Sequence, residues 1–299
     1  MRSEVKEFVA DKSSKPKINY FISSLSKSVR NVGFSCPSCG CPKSSIEDRK
    51  LLVTSLRRCS RCQLLFRTPT TTANESNKFY QQDYSQEFTT DMPEQQELEA
   101  LLNSAFKGSE KDYTAYLSVL KALGCRTGND AVLDFGCSWG YGSWQMMRAG
   151  YWVEAFEIST SRCAYARKQL GVNATDTLSS LRGPYDIFFS AHVLEHVPSV
   201  SEAIAFAWQV LRPGGLFVAF TPNGSLPAKE ANPQAWHKLW GLVHPQILDD
   251  VFYSRAFLGS PHLLASRPYD LSAIMSWTGE SIIKLDMTGS ELLVAVRKT

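Results

Sequence analysis

Residues 131–142, Ala-Val-Leu-Asp-Phe-Gly-Cys-Ser-Trp-Gly-Tyr-Gly, constrain the fold more than any other stretch of the chain. Ala131 to Phe135 read as a short buried strand whose one charged member, Asp134, lies beside its C-terminal end. Gly136, Gly140 and Gly142 then make a turn, and Ser143 to Ala149 read as a helix stopped by Gly150. A strand, a glycine turn and a helix in that order aim backbone N–H groups and a helix N-terminus at an approaching ligand. The carboxylate at the strand exit is poorly placed for a core and well placed for a cationic or hydroxylated group. The spacing Gly136-x-x-x-Gly140-x-Gly142 differs from the G-x-G-x-x-G that cradles a dinucleotide pyrophosphate.

From residue 126 onward strand and helix patterns alternate regularly, which predicts a parallel α/β sheet. Tyr151 to Ile158 form the second strand, and Glu157 near its end lies 23 positions beyond Asp134. An acidic side chain at about that offset meets ribose hydroxyls in nucleotide-binding units, because two hydroxyl donors need an acceptor-only partner. Ser159 or Thr160 caps the helix Arg162–Leu170, which Gly171 stops. Val172–Ala174 make a short third strand followed by Asp176, and Asp186–Ala191 a fourth that leads into His192-Val-Leu-Glu195-His196. That string matches an H-x-x-E-H zinc-protease signature as text, but the chemistry needs both histidines on one helix face, and Pro198 breaks the segment. Ser199–Leu211 read as an amphipathic helix, Leu216–Phe220 as a fifth strand, and Ser281–Met287 with Glu291–Lys298 as a terminal antiparallel hairpin.

Taken together, the acidic strand tip with its glycine turn, Glu157, the Leu194-Glu195-His196 exit, the Leu211-Arg-Pro-Gly-Gly215 turn and the closing strands resemble the class I S-adenosylmethionine-dependent methyltransferases over about 170 residues. Ser138 stands where that family usually has its middle glycine. The resemblance implies a Rossmann-like seven-stranded sheet closed by a C-terminal antiparallel hairpin, with S-adenosyl-L-methionine as cofactor. It places Asp134, Gly136, Cys137 and Gly140 at the methionine end, Glu157 on the ribose diol and Asp176 at the adenine rim. Ser190 and His192 are expected beneath the sulfonium. Such a site has to align a nucleophile in line with the C–S bond and take its proton. All five histidines lie beyond residue 191; His244 is the first choice of base and His192 the second.

Cys36-Pro-Ser-Cys39 and Cys59-Ser-Arg-Cys62 are two C-x-x-C knuckles with 19 residues between them. That spacing fits a closed, structural tetrahedral zinc site, whose binding energy folds a segment too short for its own core. Cys41 is a spare thiol, and Cys125, Cys137 and Cys163 read as apolar filling. Eight cysteines in a chain with no secretory signal and no apolar run near ~18 residues argue for thiols and metal in a cytoplasmic protein with no membrane partner. The expected organisation is a mobile basic tail (1–30), a zinc ribbon (31–70), a helical linker or cap (71–125) and a methyltransferase domain (126–299) with a substrate-side insertion at 224–265. Within the linker, 93–106 and 112–123 carry helical periodicity, and Phe79, Tyr80 and Tyr84 form an aromatic patch.

A zinc module ahead of this domain is similar to bacterial sugar methyltransferases, and implies transfer to a hydroxyl of a sugar or another small-molecule acceptor. Residues 31–70 carry seven basic and two acidic side chains, so an RNA base methyltransferase with a phosphate-binding ribbon is the alternative. A cofactor-binding scaffold without catalysis is the third.

Overall fold

The computed structural model describes residues 14–30, 32–50, 53–71, 75, 91–241 and 243–299. The patch Phe79, Tyr80 and Tyr84 lies outside the described residues. Helix α1 (Ser14–Val29) occupies much of the basic N-terminal stretch. Strands β1 (Ser44–Lys50), β2 (Thr54–Cys59) and β3 (Leu65–Thr68) follow as an antiparallel meander. Helices α2 (Gln95–Asn103) and α3 (Thr114–Ala122) fall inside the two periodic windows. Among the described residues no helix is long and apolar enough to cross a membrane.

Five parallel strands then build the main sheet: β4 (Ala131–Phe135), β5 (Trp152–Phe156), β6 (Asn173–Thr175), β7 (Tyr185–Ala191) and β8 (Leu211–Pro222). Their order is β6-β5-β4-β7-β8. Helices α4 (Tyr141–Arg148), α5 (Thr160–Leu170) and α6 (Val200–Val210) alternate with them. Central strands covered on both faces must be apolar on both faces, and Val132, Leu133, Phe188 and Phe189 are all fully buried. One face packs Leu133, Phe188, Phe217 and Val294 with Ala203 and Ala207 of α6 and with Cys36, Cys59 and Phe66 of the small module. The other packs Val132, Phe189 and Phe220 with Tyr116, Val119 and Leu120 of α3. Full burial of each such side chain contributes about 1.5–3 kcal/mol.

Beyond β8 the chain departs from expectation in two places. Helices α7 (Leu226–Ala231) and α8 (Pro233–Leu239) lead to β9 (Gln246–Ile247), which pairs antiparallel with β3, so the small sheet runs β1-β2-β3-β9. After α9 (Asp250–Ala256), β10 (His262–Ser266) is a fully buried strand of the main sheet, although it falls almost wholly inside the stretch expected to be a substrate-side insertion. Helix α10 (Leu271–Met275), β11 (Ile283–Lys284) and β12 (Glu291–Arg297) complete the chain.

The terminal hairpin does not form. β12 inserts between β8 and β10, antiparallel to both, while β11 pairs parallel with β10 at the outer edge. Burial explains the difference: Leu292 to Val296 are fully buried, which only an interior strand provides, whereas Lys284 is exposed and suits an edge. The full order is β11-β10-β12-β8-β7-β4-β5-β6, eight strands rather than seven, the two-residue β11 being the addition. Because β12 is antiparallel, Glu291 at its start pairs with Pro222 at the end of β8, on the edge where β4 to β8 also end.

Candidate active site

The glycine turn after β4 is stitched to its neighbour before it reaches any ligand. Gly136 and Cys137 both donate their amides to the Phe156 carbonyl, at 2.8 and 2.9 Å. Gly136 has φ +88°, and a Cβ there would lie 2.3 Å from Val193 Cγ2, so only glycine lets the turn approach the loop after β7. Gly140 has φ +92° and precedes α4, and a Cβ there would lie 2.8 Å from Ala166 Cβ of α5. Ser138, where the resemblance expects a glycine, adopts φ +53°, the left-handed conformation glycine would supply. Cys137 is buried, and burial with the nearby Asp134 and Glu157 charges pushes its thiol well above the usual range, so it stays protonated.

Asp134 and Glu157 stand at or just beyond the carboxyl ends of adjacent parallel strands. Asp134 is buried and accepts the Ser143 hydroxyl of α4 at 2.5 Å. Burial raises its pKa to about 7 against the lowering effect of that hydrogen bond, and the Glu157 charge adds to the rise. Glu157 uses one oxygen for the Ser138 amide at 2.9 Å and the other for the Ser159 amide at 2.8 Å. Burial raises its pKa, while those amides and the neighbouring Arg162 pull it down. Asp176 follows β6, one strand further out, half-buried and accepting the Thr177 hydroxyl at 3.3 Å. Ser190, at the end of β7, is fully buried, and neither its hydroxyl nor the Trp139 indole N–H has a hydrogen-bond partner among the described residues.

A second polar cluster lies on the same edge. His192, at φ +56°, sits between two carboxylates: Nε2 is 2.6 Å from Glu291 and Nδ1 3.5 Å from Glu195. Burial lowers its pKa, but the two carboxylates outweigh that and lift it to about 10. Its side chain is 45% exposed, so solvent softens the shift without reversing it. The two carboxylates favour the protonated imidazole, which weighs against the general-base role the sequence suggests for His192. Glu291 also accepts the Tyr116 hydroxyl at 2.7 Å and the Tyr269 hydroxyl at 2.6 Å. His244 donates Nδ1–H to the Leu239 carbonyl at 2.6 Å and stacks edge-on against His196, ring centres 4.7 Å apart.

Trp236 and Trp240 do not face this cluster. They are buried against Leu56, Leu65 and Ile247 of the small sheet. His237 Nδ1 and Trp240 Nε1 both donate to Asp48 of β1, at 2.6 and 2.9 Å. These three side chains of the 224–265 segment thus dock the N-terminal module.

Within that module Cys36, Cys39, Cys59 and Cys62 bring their sulfurs within 4.8 Å of one another. Cys36 and Cys62, and likewise Cys39 and Cys59, touch at 3.5 Å. Bonds of ~2.3 Å to a tetrahedral zinc would set sulfur–sulfur distances of about 3.8 Å, close to this arrangement. The Arg61 amide donates to Cys59 Sγ at 3.4 Å, a contact that favours a thiolate. Cys41 bonds instead to Lys43 and Ser60 and stands outside the four.

Sequence reasoning passed over Ser143, Arg162, Tyr116, Tyr269 and Glu291. Only Glu291 carried a signal, an acidic side chain directly ahead of five apolar residues.

Comparison with known proteins bears on the stretch just described. Residues 133–219 match a family model described as a methyltransferase domain. A ubiquinone biosynthesis O-methyltransferase from Caulobacter sp. is 32% identical over 107 residues, 32% of this chain and 42% of that protein. A malonyl-[acyl-carrier protein] O-methyltransferase from Pectobacterium atrosepticum is 31% identical over 116 residues, 37% of this chain and 45% of that protein. The matches span less than half the length of these curated relatives. Among solved structures, an S-adenosylmethionine dependent methyltransferase from Mesorhizobium loti is 19% identical, covers 63% of this chain and 100% of its own, and has a TM-score of 0.43.

Proposed function

We propose that this chain is an S-adenosylmethionine-dependent methyltransferase that acts on a hydroxyl of a small-molecule acceptor. The observation that carries the reading is the pair Asp134 and Glu157 at neighbouring strand ends, flanking a turn whose glycines are demanded by contact. The residues present fit the cofactor. Each Glu157 oxygen accepts one amide and keeps a lone pair for a ribose hydroxyl. The unpartnered Ser190 hydroxyl, buried at the end of the neighbouring strand β7, is a further donor, and Asp134 offers a carboxylate to the cationic methionine end. Half-buried Asp176 is the proposed contact for the adenine rim. When bound, S-adenosylmethionine supplies a methyl group already activated by its sulfonium. The protein's task is to hold and orient the acceptor and to exclude water.

On the acceptor side Glu291, Tyr116, Tyr269 and His192 present a carboxylate, two hydroxyls and an imidazolium on one edge. Such a set suits a polyhydroxylated acceptor, a sugar or sugar-containing metabolite, and two of the similar proteins carry O-methyltransferase in their names. The four cysteines are proposed to hold one structural zinc ion, with no open coordination position left for chemistry.

The test is calorimetry with S-adenosylmethionine, followed by transfer of a labelled methyl group to a panel of hydroxylated small molecules. One-to-one uptake with label appearing on oxygen is expected. Failure to bind the cofactor ends the proposal. Label on RNA, with affinity falling steeply as salt rises, transfers the assignment to nucleic acid.

A further inference from the structure

Glu195 and His196, just past β7, and His244, before β9, each place one donor atom within 4.8 Å of the other two. The Glu195 side chain is fully buried, and neither of its oxygens has a hydrogen-bond partner among the described residues. The ring nitrogens that approach it stand outside hydrogen-bond geometry, His192 Nδ1 at 3.5 Å and His196 Nε2 at 3.8 Å. A buried carboxylate without hydrogen bonds is costly unless enough positive charge shares the space, and the His192 imidazolium beside it is shared with Glu291 at 2.6 Å.

Both histidines are already oriented from behind. His196 Nδ1 lies 2.8 Å from the Val243 carbonyl and His244 Nδ1 2.6 Å from the Leu239 carbonyl. A carbonyl only accepts, so both Nδ1 atoms carry the hydrogen, and in the neutral rings both Nε2 atoms keep a lone pair. A ring N–H tied to a backbone carbonyl is the usual support behind a metal-ligating histidine. Bonds of ~2.1 Å require donor atoms roughly 3 to 3.5 Å apart, so small side-chain rotations close the set.

We propose that Glu195, His196 and His244 bind one divalent transition-metal ion through a carboxylate oxygen and two imidazole Nε2 atoms. Two imidazoles and one carboxylate select Zn²⁺, Co²⁺, Fe²⁺ or Mn²⁺ over Mg²⁺ or Ca²⁺. Three protein ligands leave a coordination position open, and His244 is half-buried, which gives an ion a way in. The assignment replaces the general-base role that the sequence suggests for His244. Any use of the open position by the acceptor rests on the methyl-transfer reading; the binding of the ion does not.

The full-length chain, purified with zinc on its cysteines, is titrated with Co²⁺ and followed by visible absorption and elemental analysis. Uptake of one equivalent is expected, with ligand-field bands and no near-ultraviolet thiolate charge-transfer band. His244→Ala and Glu195→Gln are each expected to weaken that uptake at least tenfold. No Co²⁺ uptake by the unmodified chain overturns the proposal whatever the variants do. Uptake unchanged in folded His244→Ala, or uptake carrying a thiolate band, overturns it as well. Because the readout is metal content, its failure is separable from failure of methyl transfer.

Discussion

The Glu157 carboxylate accepts the Ser138 backbone amide at 2.9 Å, which joins the second acidic strand tip to the glycine turn of the first. With its other oxygen on the Ser159 amide, the side chain is held before any ribose arrives. Replacing it with glutamine turns one acceptor into a donor that faces a backbone N–H. Glu157→Gln is therefore expected to lower S-adenosylmethionine affinity by about 10- to 100-fold, the ~1.5–3 kcal/mol of a hydrogen bond to a charged group. Calorimetry reads the effect; unchanged affinity removes Glu157 from the cofactor site.

Asp134 sets a pH dependence with a definite sign. Its pKa in the free chain is raised by burial to about 7, so the fold favours the protonated acid. Its ionisation therefore costs stability, and the cost grows as pH rises from the ordinary carboxylate value through 7. A cationic ligand end reverses the preference. Cofactor affinity should rise about tenfold between pH 6 and pH 8, with up to one proton released on binding at pH 6. Calorimetry in buffers of different ionisation enthalpy counts that proton. Asp134→Asn should melt a few degrees higher than the parent at pH 8 without ligand and lose most of the stabilisation that the cofactor gives.

How far the sequence reaches is visible at these two carboxylates. A parallel strand buried on both faces leaves a charge nowhere but near its tip, so Asp134 stands out from the apolar run before it, whereas β5 carries Glu154 and is only partly buried, and Glu157 is legible by its offset from Asp134. β12 is different. A short turn between 281–287 and 291–298 favours a hairpin locally, and only the burial of Leu292 to Val296 on both faces places the strand inside the sheet. β10 has only the three apolar residues Leu263, Leu264 and Ala265 in a row, without alternation, which periodicity cannot separate from a loop. The Glu291 cluster draws on α3, the loop after β7, the segment after β10 and β12, and no spacing along the chain encodes that meeting. Trp236 and Trp240, inside the segment expected on the substrate side, meet Leu56 and Leu65, which lie far earlier in the sequence and which no local pattern connects to them.

Two glycines separate contact from conformation. At Gly136 a Cβ would meet Val193 at 2.3 Å in a backbone of φ +88°. Gly171 has φ +66° with nothing within 4 Å. Gly171→Ala should cost only the ~1–2 kcal/mol of a left-handed alanine and leave cofactor binding intact. Gly136→Ala should cost ~1–3 kcal/mol more from overpacking and displace the turn that carries the Ser138 amide. Thermal melts and cofactor titrations on both variants check this, and equal behaviour of the two would show that Val193 does not press on the turn.

Removing the proposed zinc ion should be felt at a distance from the cysteines. β1 to β3 hold Trp236 and Trp240 through Leu56, Leu65 and the Asp48 carboxylate, while Arg58 of β2 reaches Asp249 at 2.8 Å. A module folded by its metal loses this docking surface when the metal goes. Chelation is expected to shift tryptophan emission to the red as these two indoles meet water. A Trp236→Phe/Trp240→Phe double variant should lose most of that shift while still releasing one zinc from the four cysteines. Asp48→Ala tests the same interface with the metal in place, because it strands the His237 and Trp240 donors. It should cost about 1–3 kcal/mol in melts and speed amide exchange in β1 to β3. Emission unchanged on complete zinc release would mean that the small sheet stands without its metal.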